Sequence, residues 1–92
     1  MNLKVEENRI LLEFEDGDRA FVTFGVDEAS KVIVVSTTFV PESKRGRGVA
    51  GRLTAKLVEL AEEKGYRIYP LCSYTRKYLE RKKPGLIAEG GL

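Results

Sequence analysis

The chain has 92 residues, with 16 Lys and Arg against 14 Asp and Glu, one cysteine, and no histidine or tryptophan. That length allows one domain spanning 1–92 with a small core, and 42% hydrophobic with 33% charged residues marks a globular rather than a disordered chain. The lone Cys72 excludes an internal disulfide, and the absence of histidine removes the usual zinc spacings and every imidazole-dependent triad, so no metal site is expected.

The first twenty residues carry six carboxylates and no cationic-then-apolar leader pattern. No apolar run approaches the roughly 20 residues of a membrane span. The expectation is a soluble cytoplasmic protein, monomeric or homodimeric, without a membrane partner.

Leu3 and Val5 alternate with Lys4 and Glu6, then Ile10, Leu12 and Phe14 with Leu11, Glu13 and Glu15, at the period of half-buried strands, with Asn8 at the turn between them. Asp16-Gly17 suits a hairpin turn, and Arg19 to Val26 follows with Ala20, Val22, Phe24 and Val26 on one face. Val32 to Val35 are four consecutive β-branched residues, the pattern of a strand buried on both faces, which continues to Val40 and stops at Pro41.

From Arg47 to Lys64 the period changes, and Val49, Leu53, Leu57 and Leu60 recur at three- and four-residue steps along a helical stripe closed by Gly65. Arg67 to Tyr69 reads as a short strand ended by Pro70. Ser73 to Arg81 reads as a second helix with Ser73 as N-cap. Residues 84–92 have no period and are expected to fray. The fold class is therefore α+β, in the order β-β-β-β-α-β-α, with about five strands, antiparallel at first and parallel across the one β-α-β crossover.

Charge is unevenly placed along this order. Residues 1–43 hold four basic and nine acidic side chains, and residues 44–92 hold twelve and five. The second half is suited to an anion.

The segment from Pro41 to Gly51, read Pro-Glu-Ser-Lys-Arg-Gly-Arg-Gly-Val-Ala-Gly, joins the buried strand to the long helix. Helix-start amides have no internal partner and carry partial positive charge. Gly46 and Gly48 clear space in front of them, while Lys44, Arg45 and Arg47 add full charges, so a phosphate or pyrophosphate is the natural ligand. The alternative is a tight turn needed only for packing. Gly46-x-Gly48-x-x-Gly51 also fits the dinucleotide fingerprint. That motif needs a fold alternating from the start and an acidic residue about 20 positions on, where this chain reads Pro70 to Thr75.

Arg45-Gly46-Arg47-Gly48-Val49-Ala50 resembles the Arg/Gln-x-x-Gly-x-Gly/Ala signature of the GNAT acyl-CoA N-acyltransferases. Val40-Pro41 before it and Pro70-Leu71-Cys72-Ser73-Tyr74 after it are similar to segments of that family's smallest single-domain members. The resemblance implies a GNAT-like mixed sheet, acetyl-CoA as cofactor and an amine as acceptor. It also implies that the amides of Arg45, Gly46, Arg47, Gly48, Val49 and Ala50 hold the pyrophosphate, and that the pantetheine arm lies along Thr38, Phe39 and Val40. Tyr78, or Tyr74 one turn earlier, corresponds to the family's tyrosine that protonates the departing thiolate. The chain departs from the small members at Thr37 and Lys83, where histidines are found.

Cys72, between a strand end and a helix start, is placed where a thiol pKa is lowered, and so serves either as an acyl-accepting nucleophile or as a pocket lining. With histidine absent, Glu13, Glu28 or water must act as base. The leading expectation is an acetyl-CoA-dependent N-acetyltransferase acting on a small-molecule or protein amine. Its alternatives are an acyl-CoA-binding module without turnover and, least favoured, a nucleic-acid-binding protein, since no aromatic platform accompanies the basic residues.

Overall fold

The alternating residues of the first forty positions form four strands, and the helical stripe after them forms the main helix. In the computed structural model, which describes residues 1–88, the strands are β1 (Asn2–Val5), β2 (Arg9–Glu13), β3 (Arg19–Asp27), β4 (Val32–Phe39) and β5 (Arg67–Pro70). The helices are α1 (Val49–Lys64) and α2 (Ser73–Lys82). The strands make one mixed sheet in the order β1-β2-β3-β4-β5, antiparallel except at β4–β5, the parallel pair that α1 connects. This is the α+β arrangement that the sequence implies.

Register explains the burial. Ile10 pairs with Val22 and Leu12 with Ala20, Phe24 pairs with Val35, and Ile33 with Ile68, so these side chains share one face. On that face they form a single cluster with Val49, Leu53, Leu57, Val58 and Ala61 of α1 and Leu79 of α2. Leu53 and Leu57 are fully buried, each contributing about 1.5–3 kcal/mol through removal from water. Val26 shares the face at the strand end and stays 37% exposed, contrary to its expected burial. Thr54, the one polar residue of the α1 stripe with no exposure, donates its hydroxyl to the Ala50 carbonyl at 2.8 Å.

β4 lies between β3 and β5, and Val32, Ile33 and Val35 are buried as the β-branched run requires. Its C-terminal part differs in register. Phe24 faces Val35 while Thr23 faces Thr37, so Ser36 is an extra residue, and the strand bulges there. The pairing of β4 with β5 ends at the same point, Val35 against Pro70, leaving Thr37 to Phe39 paired with β3 alone.

Gly48 (φ 74°) is the N-cap of α1, two residues later than the sequence period suggests, and Gly65 (φ 72°) ends the helix as expected. Both occupy the left-handed region, which only glycine enters without strain. α2 begins one residue earlier than expected: Cys72 is the N-cap, and Ser73 is already helical.

The expected fraying of 84–92 is incorrect for 84–88, and residues 89–92 lie outside the described residues. Pro84–Leu86 form a 3-10 turn, Ile87 bridges Ile68 in parallel, and the Ala88 amide donates to the Ile68 carbonyl at 2.7 Å. The free edge of β5 supplies this partner, and Ile87 joins the core cluster. No helix among the described residues is long and apolar enough to cross a membrane.

Candidate functional site

Where β4 and β5 part, the chain leaves β4 through Val40, forms a 3-10 turn at Glu42–Lys44, and passes Gly46 (φ 79°) and Gly48 into α1. A cavity of about 210 Å³ opens on this loop, lined by Val40, Lys44, Arg45, Gly46, Gly48, Val49, Ala50, Gly51 and Tyr74. A second volume of about 260 Å³, lined by Thr38, Phe39, Val40, Arg45, Ala50 and Tyr74, shares four of those residues and continues along the end of β4. Together they make one cleft running from the helix start to the bulged strand.

The first helical hydrogen bond of α1 runs from the Arg52 amide to the Gly48 carbonyl at 3.1 Å, and no side chain caps the helix. The amides of Val49, Ala50 and Gly51, all cleft-lining residues, therefore have no partner within the helix. A Cβ built on Gly46 or Gly48 meets nothing within 4 Å, so substitution at either would project into open space beside those amides. This is a cradle for an anion, at the positive end of the helix dipole.

The three cations of the segment part company here. Arg45 lines both volumes and its Nε donates to the Val40 carbonyl at 3.0 Å, which ties the loop back to β4. Arg47 faces the other way, into an open depression with Met1, Phe14, Glu15, Asp16 and Lys44. The Lys44 ammonium is held by Asp16 and Asp18 of the β2–β3 turn. Lys44 thus lines the cleft with its charge already paired, and Arg45 is the cation there that no carboxylate engages among the described residues.

Tyr74 and Tyr78 lie one helical turn apart, their ring centroids separated by 6.3 Å. Tyr74 lines both volumes, and its hydroxyl is 3.5 Å from the position a Cβ on Gly51 would take. Tyr78 packs against the core cluster with the Lys82 ammonium over its ring and lines neither volume. Burial raises the Tyr74 pKa and neighbouring Tyr78 adds to this, against a smaller opposite effect of Arg81. The hydroxyl keeps its proton at neutral pH.

Cys72 touches a lining residue, its thiol donating to the Thr38 hydroxyl at 3.5 Å. Burial alone would raise its pKa; the Thr38 hydroxyl, the Thr75 amide and hydroxyl, and the Tyr74 amide outweigh burial and bring it below the usual thiol value. The Thr75 hydroxyl is fully buried and has no hydrogen-bond partner among the described residues, and its nearness favours the Cys72 thiolate.

Neither carboxylate considered as a base reaches the cleft. Glu13 pairs with Lys4 and Arg19, and Glu28 accepts a hydrogen bond from the Tyr66 hydroxyl. Among the described residues, none lining either volume is a carboxylate.

Residues 9–85 match the family model for GCN5-related N-acetyl-transferases. The chain belongs to that family. Among solved structures, a GCN5-like candidate N-acetyltransferase from Staphylococcus aureus is 27% identical, with a TM-score of 0.73 over 99% of this chain and 89% of that one. A ribosomal-protein-alanine N-acetyltransferase from Brucella melitensis biovar Abortus 2308 is 23% identical at a TM-score of 0.61, covering 79% of this chain and 59% of that chain. Nourseothricin acetyltransferase is 22% identical at 0.63, covering 79% and 46%. These last two share the fold, and this chain spans about half to three-fifths of their length.

Among the residues that the sequence brings forward, the structure gathers Thr38, Phe39, Val40, Lys44, Arg45, Gly46, Gly48, Val49, Ala50 and Tyr74 around one GNAT cleft. Arg47 and Tyr78 stand outside its lining, and Cys72 lies next to it. Gly51 is a lining residue that the motif included but the site reading left out. A glycine in a helix costs about 1 kcal/mol relative to alanine, which in retrospect is the signal that something must come close to this turn. In the structure it is the Tyr74 hydroxyl.

Proposed function

We propose that the chain is an acetyl-CoA-dependent N-acetyltransferase for an amine of a small molecule or a protein. Family membership supports N-acetyltransferase activity. The uncapped start of α1, opening behind Gly46 and Gly48 into a cleft continuous with the end of β4, carries the cofactor reading.

The residues present fit acetyl-CoA. Amides of Val49, Ala50 and Gly51 with the Arg45 side chain would hold the pyrophosphate, and Thr38, Phe39 and Val40 would flank the pantetheine arm. When bound, the cofactor supplies an activated acetyl thioester. Anchoring its remote phosphate end lets binding energy orient the reacting end. Tyr74, protonated at neutral pH and facing the cleft, is the proton donor for the departing thiolate. Cys72, with its lowered pKa, is within one hydroxyl of the cleft and is a nucleophilic side chain beside it.

Titration of the protein with acetyl-CoA is expected to show binding in the micromolar range together with a higher Tm. No binding at millimolar acetyl-CoA would overturn the proposal. Glu13 and Glu28, the carboxylates offered as bases, are engaged elsewhere, which favours one second reading, an acyl-CoA-binding module without turnover. Release of CoA in the presence of a panel of amines separates the two: the enzyme produces free CoA, and the module binds acetyl-CoA and produces none.

A further inference from the structure

Lys44 enters the sequence reading as a cation for phosphate, but its surroundings give it other work. Its side chain is 10% exposed, and its ammonium donates to Asp16 Oδ2 and, at 3.0 Å, to Asp18 Oδ2. The same ammonium stands 5.1 Å from the centre of the Phe14 ring. Beside it, the Ser43 hydroxyl donates to Asp18 Oδ2 at 3.0 Å.

The receiving end is braced by hydrogen bonds of its own. The Phe14 amide donates to the Asp18 carbonyl at 2.9 Å, the Gly17 amide to the Phe14 carbonyl at 3.0 Å, and the Asp18 amide to Asp16 Oδ1 at 3.0 Å. The hairpin tip thus presents two carboxylates and an aromatic face as a fixed receptacle for residues 43 and 44.

The loop beyond is short. Arg45 follows Lys44 directly and is tied to the Val40 carbonyl, then Gly46 and Gly48 turn the chain into α1. Two side-chain ties, one to the hairpin and one to β4, therefore hold the chain immediately before a glycine segment that has little stiffness of its own. A precise amide cradle on such a segment needs support from outside it.

We propose that Lys44 is a positioning residue, holding the anion-binding loop in place through Asp16 and Asp18 of the β2–β3 hairpin, and makes no contact with the phosphates. The proposal rests on the acetyl-CoA reading above. It makes the hairpin, distant in sequence from the loop, part of the cofactor site.

The two roles of Lys44 predict opposite signs. If Lys44 binds phosphate directly, replacing Asp16 and Asp18 by Asn removes two negative charges and frees an ammonium, so acetyl-CoA binds more tightly. If Lys44 positions the loop, the same change loosens the cradle and weakens binding although the surroundings have become more positive.

The test is isothermal titration of acetyl-CoA into the full chain carrying Asp16→Asn and Asp18→Asn, with amide exchange of the ligand-free protein followed at Lys44, Arg45 and Arg52. The expected result is a Kd raised about tenfold, faster exchange at those three amides, and near-native affinity in Lys44→Arg, which can keep both ion pairs. Unchanged or tighter binding in the double variant, or unchanged exchange, would overturn the proposal. Asp18→Asn alone, which removes the negative charge facing Ser43 and Lys44, carries the same sign test should the double variant fail to fold. A wild-type chain that does not bind acetyl-CoA would strike the functional reading instead, and exchange at the three amides would still decide whether the hairpin holds the loop.

Discussion

Gly48 and Gly65 sit at the two ends of α1 in nearly the same backbone conformation, φ 74° and ψ 17° against φ 72° and ψ 28°. A Cβ meets no atom within 4 Å at either position. Alanine at each site therefore adds no clash and costs only the strain of a left-handed L-residue, about 1–2 kcal/mol. At about 4–8 °C per kcal/mol for a chain of this size, both variants are expected to lose roughly 4–16 °C in Tm, by scanning calorimetry or circular dichroism.

Function should separate them. Gly48 lines the cleft beside the unpartnered amides of Val49 to Gly51, whereas Gly65 closes the far end of the helix. A methyl group at 48 that excludes one charge-assisted hydrogen bond costs about 1.5–3 kcal/mol, roughly a 10- to 150-fold rise in the Kd for acetyl-CoA. Calorimetric titration of Gly48→Ala and Gly65→Ala measures the contrast directly. Equal affinities in the two variants would refute the assignment of the α1 start as the phosphate cradle, because stability loss is common to both and only the cleft differs.

Tyr74→Phe is expected to lower the rate of CoA release by about 10²-fold or more, and Tyr78→Phe to leave it within twofold; an equal loss in Tyr78→Phe would reverse the assignment. Alkylation of Cys72 by iodoacetamide should reach half-maximal rate below the ordinary thiol pKa, with Thr75→Val moving that midpoint upward; a midpoint at or above the ordinary value would remove the hydroxyl and amide support argued for the sulfur. Acid stability carries its own sign. The hydrogen bond from Lys44 holds Asp16 below its ordinary 3.8, and the hydrogen bond from Lys4 holds Glu13 below 4.5. Carboxylates depressed in the folded state contribute stability that is present above their unfolded values and lost as pH falls through the folded ones. Tm should therefore hold from pH 6 to 5 and fall below about pH 4.5, less steeply between pH 4 and 3 in Lys44→Met; an equal slope in that variant would mean the pair contributes nothing.

The strand order, the long helix and the glycine loop are legible in the sequence because each is a local pattern: alternation in β2 and β3, a β-branched run in β4, a three-to-four period in α1, and glycine where φ is positive. What is not legible depends on partners distant in sequence. Lys44 and Asp16 are 28 residues apart, and a lysine beside two arginines and two glycines reads as part of one basic motif until the hairpin is seen against it. Ile87 is a single apolar residue in a stretch without period, and only the open edge of β5 gives it a place. The bulge at Ser36 leaves no trace in polarity, because Ser36 to Thr38 are all small hydroxyl residues whichever way they face. Tyr74 and Tyr78 fall on the same side of α2 by periodicity, so the angle between α2 and α1 decides which of them reaches Gly51.

The charge asymmetry between the halves takes a different meaning once the fold is known. An acidic first half and a basic second half suggest two surfaces awaiting two ligands. Yet Lys44 of the basic half is spent on Asp16 and Asp18 of the acidic half. Part of the asymmetry is therefore internal, and at the loop it joins the two halves to each other. Because Arg47 also turns toward the hairpin, the cleft keeps Arg45 as its cation and relies otherwise on backbone amides and the helix dipole. Amides act at hydrogen-bond range, where an error of a few tenths of an ångström matters, whereas a cluster of flexible cations would tolerate looseness. A cradle of that kind gains more from being held still than from added charge, and the residue that the sequence presents as charge is the one that the fold uses to hold it.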